Sequence, residues 1–168
     1  MPAWSRNLVF VIAAFLLGAA SVVSGDDAAA PAAAEQKLIK LARTEPTAEN
    51  RAALGSYRYV HAVHDYHHWE KTGDAAVYRR ALVYAESACR LAPAKAEHWF
   101  FKGLLLARMD TDKNALKQAT LALESCLRIQ PKHGRAHLLL AQTYQVQRRY
   151  WSAIEQYKLI LTRDSSLA

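Results

Sequence analysis

Six glycines in 168 residues leave little for chemistry that depends on bare backbone. There is no Gly-rich loop to cradle a phosphate and no G-x-S-x-G turn to expose a nucleophile. No pair of carboxylates sits in an apolar setting, and nothing supplies an oxyanion site, so no catalytic constellation is expected. No cofactor-binding motif is present either. Cysteine is equally sparse: Cys89 and Cys126 are alone, and their spacing matches no metal motif. They read as small buried core residues, with a disulfide as the alternative if the chain is exported. Strand-type alternation is missing throughout, which leaves an all-α chain. Long basic runs are missing too. The formal charge is +7, but the only basic pairs are Arg79-Arg80 and Arg148-Arg149, so a dedicated nucleic-acid surface is not expected.

What is present begins with a targeting segment. Arg6 precedes an apolar run from Leu8 to Val23, followed by Ser24-Gly25 and Asp26-Asp27. Sixteen residues is short for a membrane span and right for a signal h-region. Cleavage is expected after Gly25, giving residues 1–25 as a signal peptide; retention would make it an N-terminal anchor, the one route to a membrane. No cysteine follows the h-region, which argues against a lipoprotein. The mature chain is then exported: periplasmic in a bacterium, secreted or lumenal elsewhere. Residues 26–36, rich in Ala with one Pro, read as a flexible linker, and residues 37–168 as a helical domain.

Helix signals follow in order. A short amphipathic helix over 35–44 ends at Pro46. Thr47 caps a long helix over 48–71, which stops at Gly73. Asp74 caps the next, 75–91, whose Ala81, Ala85 and Ala88 form a smooth stripe closed by Pro93. Helices over 96–109 and 115–129 flank a polar turn and lead to Pro131. The last pair covers 135–147 and 151–162 around Arg148, Arg149 and Tyr150.

Counting from the prolines exposes a repeat. Ala141 and Tyr144 lie 10 and 13 residues after Pro131; Gly103 and Leu106 lie 10 and 13 after Pro93; Ser56 and Tyr59 lie 10 and 13 after Pro46. Ala81 and Ala119 each precede a proline by 12, and Ala153 precedes Ser165 by the same number. A small residue lets paired helices approach closely, and a bulky one wedges beside it. This pattern resembles the tetratricopeptide repeat, W-x2-L-G-x2-Y … A-x3-F … P. The last unit matches it at Leu140-Ala141, Tyr144, Ala153 and Tyr157. The middle unit matches at Trp99, Gly103, Ala119 and Pro131, with Lys102 where Leu is usual. The resemblance implies helix-turn-helix repeats stacked as a short right-handed solenoid, with units over 47–92, 94–130 and 132–168. The spacings from Pro46 to Pro93, Pro93 to Pro131 and Pro131 to Ser165 are 47, 38 and 34 residues. The excess in the first unit is expected to fall mostly after Tyr59.

That excess holds four of seven histidines. On a helix, His61, His64 and His68 fall within about 60° of one another, away from Ala62, Val63, Tyr66 and Trp69. Three readings stand: a plain polar face, part of a binding groove, or a metal site in which His64 and His68 share an ion with Asp65 or His61 nearby. The resemblance implies a concave groove lined by the first helix of each unit. Carried over, its positions are Asn50, Ala53, Tyr57, Val60 and His61, continued by His64 and His68. The middle unit contributes Glu97, Phe100, Leu104, Ala107 and Arg108, and the last Arg135, Leu138, Gln142, Gln145 and Val146. Leu104 has the alternative of packing inside its own unit. Such a groove suits a protein or peptide partner docking apolar side chains. The Lys and Asn with which some family members grip C-terminal carboxylates are mostly absent. The expected function is an exported, non-catalytic scaffold, the alternative a metal-binding protein using the His61/His64/His68 face. Leu159 points off the packing face of the last helix, so a second copy or the partner is expected to cover that helix unless the chain is a fragment; a homodimer through it is one such arrangement.

Overall fold

The computed structural model describes residues 29–109 and 112–164; the export signal read in residues 1–25 lies outside them. Among the described residues seven helices follow in order: α1 (Ala29–Thr44), α2 (Ala48–Thr72), α3 (Ala75–Leu91), α4 (Ala96–Ala107), α5 (Lys113–Ile129), α6 (Gly134–Val146) and α7 (Tyr150–Asp164). Contacts divide the chain into two compact bodies, Met1–Leu54 and Gly55–Ala168. Among the described residues no helix is long and apolar enough to cross a membrane.

In the first body, α1 starts at Ala29, so residues 29–36 are helix and not the flexible linker expected. The reason is local: alanine has the highest helix propensity, and Pro31 falls in the first turn, where an N–H has no acceptor to lose. The Thr47 cap is in place, its Oγ1 accepting the Asn50 N–H at 3.1 Å.

The second body is a stack of helix pairs. α4 packs on α5 and α6 on α7; α3 also meets α4, α5 meets α6, and α4 touches α6. α2 and α3 run antiparallel, with Gly55 beside Ala92 at one end, Asp65 bonded to Arg80 in the middle and Trp69 against Tyr78 at the other. This is an all-α, tetratricopeptide-like repeat arrangement. Caps fix the helix starts: Asp74 Oδ1 accepts the Ala76 N–H at 2.7 Å, and Asp112 Oδ1 accepts those of Asn114 and Ala115 at 2.8 and 3.3 Å.

The core follows the small residues. Ala62, Ala81 and Ala85 are buried with Tyr66, Phe101 and Leu105. Phe100, Leu123, Cys126, Leu140 and Tyr144 form a second cluster with Ala96, Ala136 and Ala153. Both cysteines are buried free thiols, and burial pushes Cys89 up to about 12 and Cys126 to about 11. The disulfide alternative is therefore not formed.

The clusters also correct the register of the first repeat. Ala62, wholly buried with Ala81, takes the place that counting from Pro46 assigns to Ser56, which is only half-buried. Ala62 and Ala81 stand 19 residues apart, Gly103 and Ala119 16, and Ala141 and Ala153 12. Six of the thirteen extra residues therefore lie before the contact residue and seven after it.

At the α6–α7 turn Arg148 sits at φ 59°, in the left-handed region where a side chain costs about 1–2 kcal/mol. Arg148→Gly is expected to raise the unfolding free energy by about 0.5–1 kcal/mol, the gain being trimmed by the looser unfolded chain. Urea unfolding would read it as a higher midpoint at unchanged slope.

Along α7, Trp151 is 83% exposed and Leu161 67%, with Leu159 and Ile154 also outward. The outward aim read for Leu159 is thus present.

Candidate interaction face

The first helices of the repeats, α2, α4 and α6, lie side by side and make one face. Ring contacts locate the join of α2 to α4: Tyr59 stacks on His98 at 4.9 Å, and Tyr66 meets Phe101 edge-on at 5.7 Å. α4 joins α6 through His133 Nε2, 3.1 Å from Glu97 Oε1, and through Arg135, whose guanidinium lies 4.9 Å over the Phe100 ring. The six-residue correction of register therefore moves the first repeat's groove positions from Asn50, Ala53, Tyr57, Val60 and His61 to Ser56, Tyr59, Val63, Tyr66 and His67.

The residues given by the count from Pro46 have other contacts. Asn50 Nδ2 donates to the Glu45 carbonyl at 2.8 Å, bracing the start of α2. Tyr57 is buried and packs on His61 at 4.3 Å. His61 in turn approaches Tyr84 of α3 at 6.0 Å, while Tyr59 and Tyr66 make the contacts with α4. His64 is solvent-facing, with Nδ1 3.8 Å from Asp65, and His68 is exposed. Asp65 itself is committed to Arg80 through bonds of 2.6 and 2.7 Å. Among the described residues no group of three or more His, Cys, Asp or Glu side chains is placed to hold a metal ion.

On α4, Phe100 is 5% exposed and belongs to the core, beneath Arg135. Leu104 is half-buried beside the first cluster, which joins the first repeat to α4 and is not confined to Leu104's own unit, and Arg108 is exposed. On α6 the expected positions do face outward. Leu138 is 45% and Val146 52% exposed, with Gln142 exposed between them. Gln145 Oε1 accepts from the Tyr157 hydroxyl at 2.9 Å, tying the face to α7. The exposed apolar strip is thus Leu138–Gln142–Val146, with Arg135 at its head.

Two polar groupings lie where α2 meets α4. Burial, then the Glu97 carboxylate, raise the Tyr59 phenol, while Arg135 opposes them. Burial and a hydrogen bond to Glu70 raise Tyr66, with Arg108 opposing. Glu70 is held below its ordinary range by hydrogen bonds from Tyr66 and His67. These tyrosines therefore stay protonated donors, suited to hydrogen bonding. Near Tyr59 a cavity of about 420 Å³ opens between Lys95, Glu97, His98, Ile129 and Gln130.

Tyr59, Tyr66 and Glu70 were not among the sequence candidates. The available signal was the aromatic spacing Tyr59–Tyr66, which the proline count displaced.

No family model matches the chain, and no curated protein does. Among solved structures it is similar to two crystal structures of MamA, both 18% identical, with TM-scores of 0.56 and 0.55. They cover 96% and 95% of this chain, and 78% and 73% of their own length. A MamA RS-1 double mutant, 16% identical, gives a TM-score of 0.51 over 99% of this chain and 98% of that one. At such identities the likeness is one of fold, and it agrees with the tetratricopeptide-like stacking of α2 to α7.

Proposed function

We propose that this protein is a non-catalytic interaction scaffold that holds a peptide segment of a protein partner on the face of α2, α4 and α6. The observation that carries this reading is the strip Leu138–Gln142–Val146. It places apolar side chains in solvent on a first helix whose other faces are packed, with Arg135 at its head and Glu97 and tyrosine donors where α2 meets α4. Apolar anchors with polar groups at their rim are what a docked peptide needs. The export signal read in residues 1–25 supports an exported site for this role, periplasmic in a bacterium and secreted or lumenal elsewhere.

The test uses peptides selected from a displayed random library on the native protein. Leu138→Glu and Val146→Glu are each expected to weaken a selected peptide by about tenfold or more, with helical circular dichroism unchanged because both side chains are already exposed. Val83→Glu, at a 64% exposed position on α3, should leave binding intact. Full binding by both α6 variants, or equal loss in the Val83 variant, would place the docking surface elsewhere.

A further inference from the structure

Two of the seven histidines are buried, and each stands at a joint between successive repeats. His98 is 4% exposed and His133 7%. At the first joint His98, on α4, donates Nδ1–H to the Ala88 carbonyl of α3 at 3.3 Å and stacks on Tyr59 of α2. At the second joint His133 precedes α6 as its cap. Its Nδ1 accepts the Ala136 N–H at 3.1 Å, its Nε2 donates to Glu97 of α4, and its ring lies 4.8 Å from Phe100.

We infer that the joints between successive repeats form an acid-sensitive device: each is held by a neutral imidazole, and mild acid loosens the repeats against one another. The geometry gives the reason. A nitrogen that accepts a backbone N–H carries no proton, so protonating His133 sets a hydrogen against the Ala136 N–H and removes the cap. It also puts positive charge at a helix N-terminus, where the dipole disfavours it. Glu97 attracts that charge without restoring the cap. Protonating His98 charges a ring enclosed by Tyr59, Ala88 and the start of α4.

The charged and titratable groups around the pair are Tyr59 on α2, Lys95 and Glu97 at the start of α4, and Lys132, Arg135 and His137 beside His133. Burial depresses the His98 pKa; the Ala88 carbonyl opposes this, Lys95 adds to it, and Glu97 opposes it weakly. A depressed folded-state value means that the unfolded chain binds the proton more readily. Stability is then present above the ordinary histidine range and is lost as the pH falls through and below it. The inference concerns the joints alone and stands whether or not the face takes a peptide.

The test compares thermal unfolding at pH 7.5 and 5.5. His98→Gln keeps an amide donor for Ala88, and His133→Asn keeps a capping acceptor for Ala136, but neither side chain titrates. The native midpoint is expected to fall by about 5 °C between the two pH values, and the double variant to lose more than half of that drop. A His64→Gln, His68→Gln control should keep all of it. An undiminished drop in the double variant, or no drop in the native protein, overturns the inference. Nitrogen-15 spectra of the native rings guard against a variant that fails to fold. At pH 7.5 they should show the Nδ1–H tautomer for His98 and the Nε2–H tautomer for His133, and any other assignment also overturns it.

Discussion

Leu123→Ala is expected to cost about 3 kcal/mol of unfolding free energy, and Gly103→Ala about 1–2 kcal/mol, yet the two together should cost less than their sum. Leu123 is wholly buried, so truncating it loses burial and leaves a cavity. A methyl at Gly103 would stand 2.7 Å from Leu123 Cγ and 2.9 Å from Cδ2, well inside contact distance. Alanine also improves helix propensity by about 1 kcal/mol, which trims but does not reverse the clash. Leu123→Ala removes both of the atoms struck, so the new methyl partly fills the hole. A double-mutant cycle by urea unfolding should give a favourable coupling of about 1–2 kcal/mol. Strict additivity would mean that α4 and α5 shift apart, and that Gly103 does not fix their spacing.

The second large effect is at Arg80. Its guanidinium grips the Asp65 carboxylate with two bonds, and Asp65 is 4% exposed. Arg80→Ala leaves that charge buried, with only the solvent-facing His64 nearby. Orphaning one member of a buried pair costs about 3–5 kcal/mol. Arg80 is 56% exposed on its side chain, so solvent screens the pair and the expected loss is about 2–3 kcal/mol. Asp65→Asn should cost less, about 1 kcal/mol, because the arginine left behind can turn to water. Equal losses for the two variants would show that mutual attraction, not an unpaired buried carboxylate, accounts for the stability.

How legible these features are depends on where their partners lie. The close approach at Gly103, Ala119 and Ala141 can be read directly, because each stands at a fixed count from a proline that ends a helix, and Ala153 stands at the matching count before Ser165. The first repeat breaks that logic. α2 runs 25 residues with nothing to interrupt it, and Ala53, Gly55, Ser56 and Ala62 are all small enough to face α3. Only the contact with Ala81 selects among them, and that contact is tertiary. Phe100 was misplaced because α4 meets helices on several sides and reads as apolar nearly all round. The buried histidines left no pattern because each bonds to a main-chain atom, which any sequence supplies equally. The exposed positions on α6 were legible because Leu138, Gln142 and Val146 stand off the buried stripe of Ala136, Leu140 and Tyr144.

Cys89 and Cys126 sit in successive repeats, each near the end of a second helix, and burial holds both as unreactive thiols. Alkylation must therefore wait for the surrounding repeat to open. Each sulfur acts as a clock for its own stretch of the stack: the two rates coincide if the array opens as one cooperative block and separate if it unzips from an end. A repeat array with nearest-neighbour packing permits either behaviour, and these two atoms distinguish them without any added label.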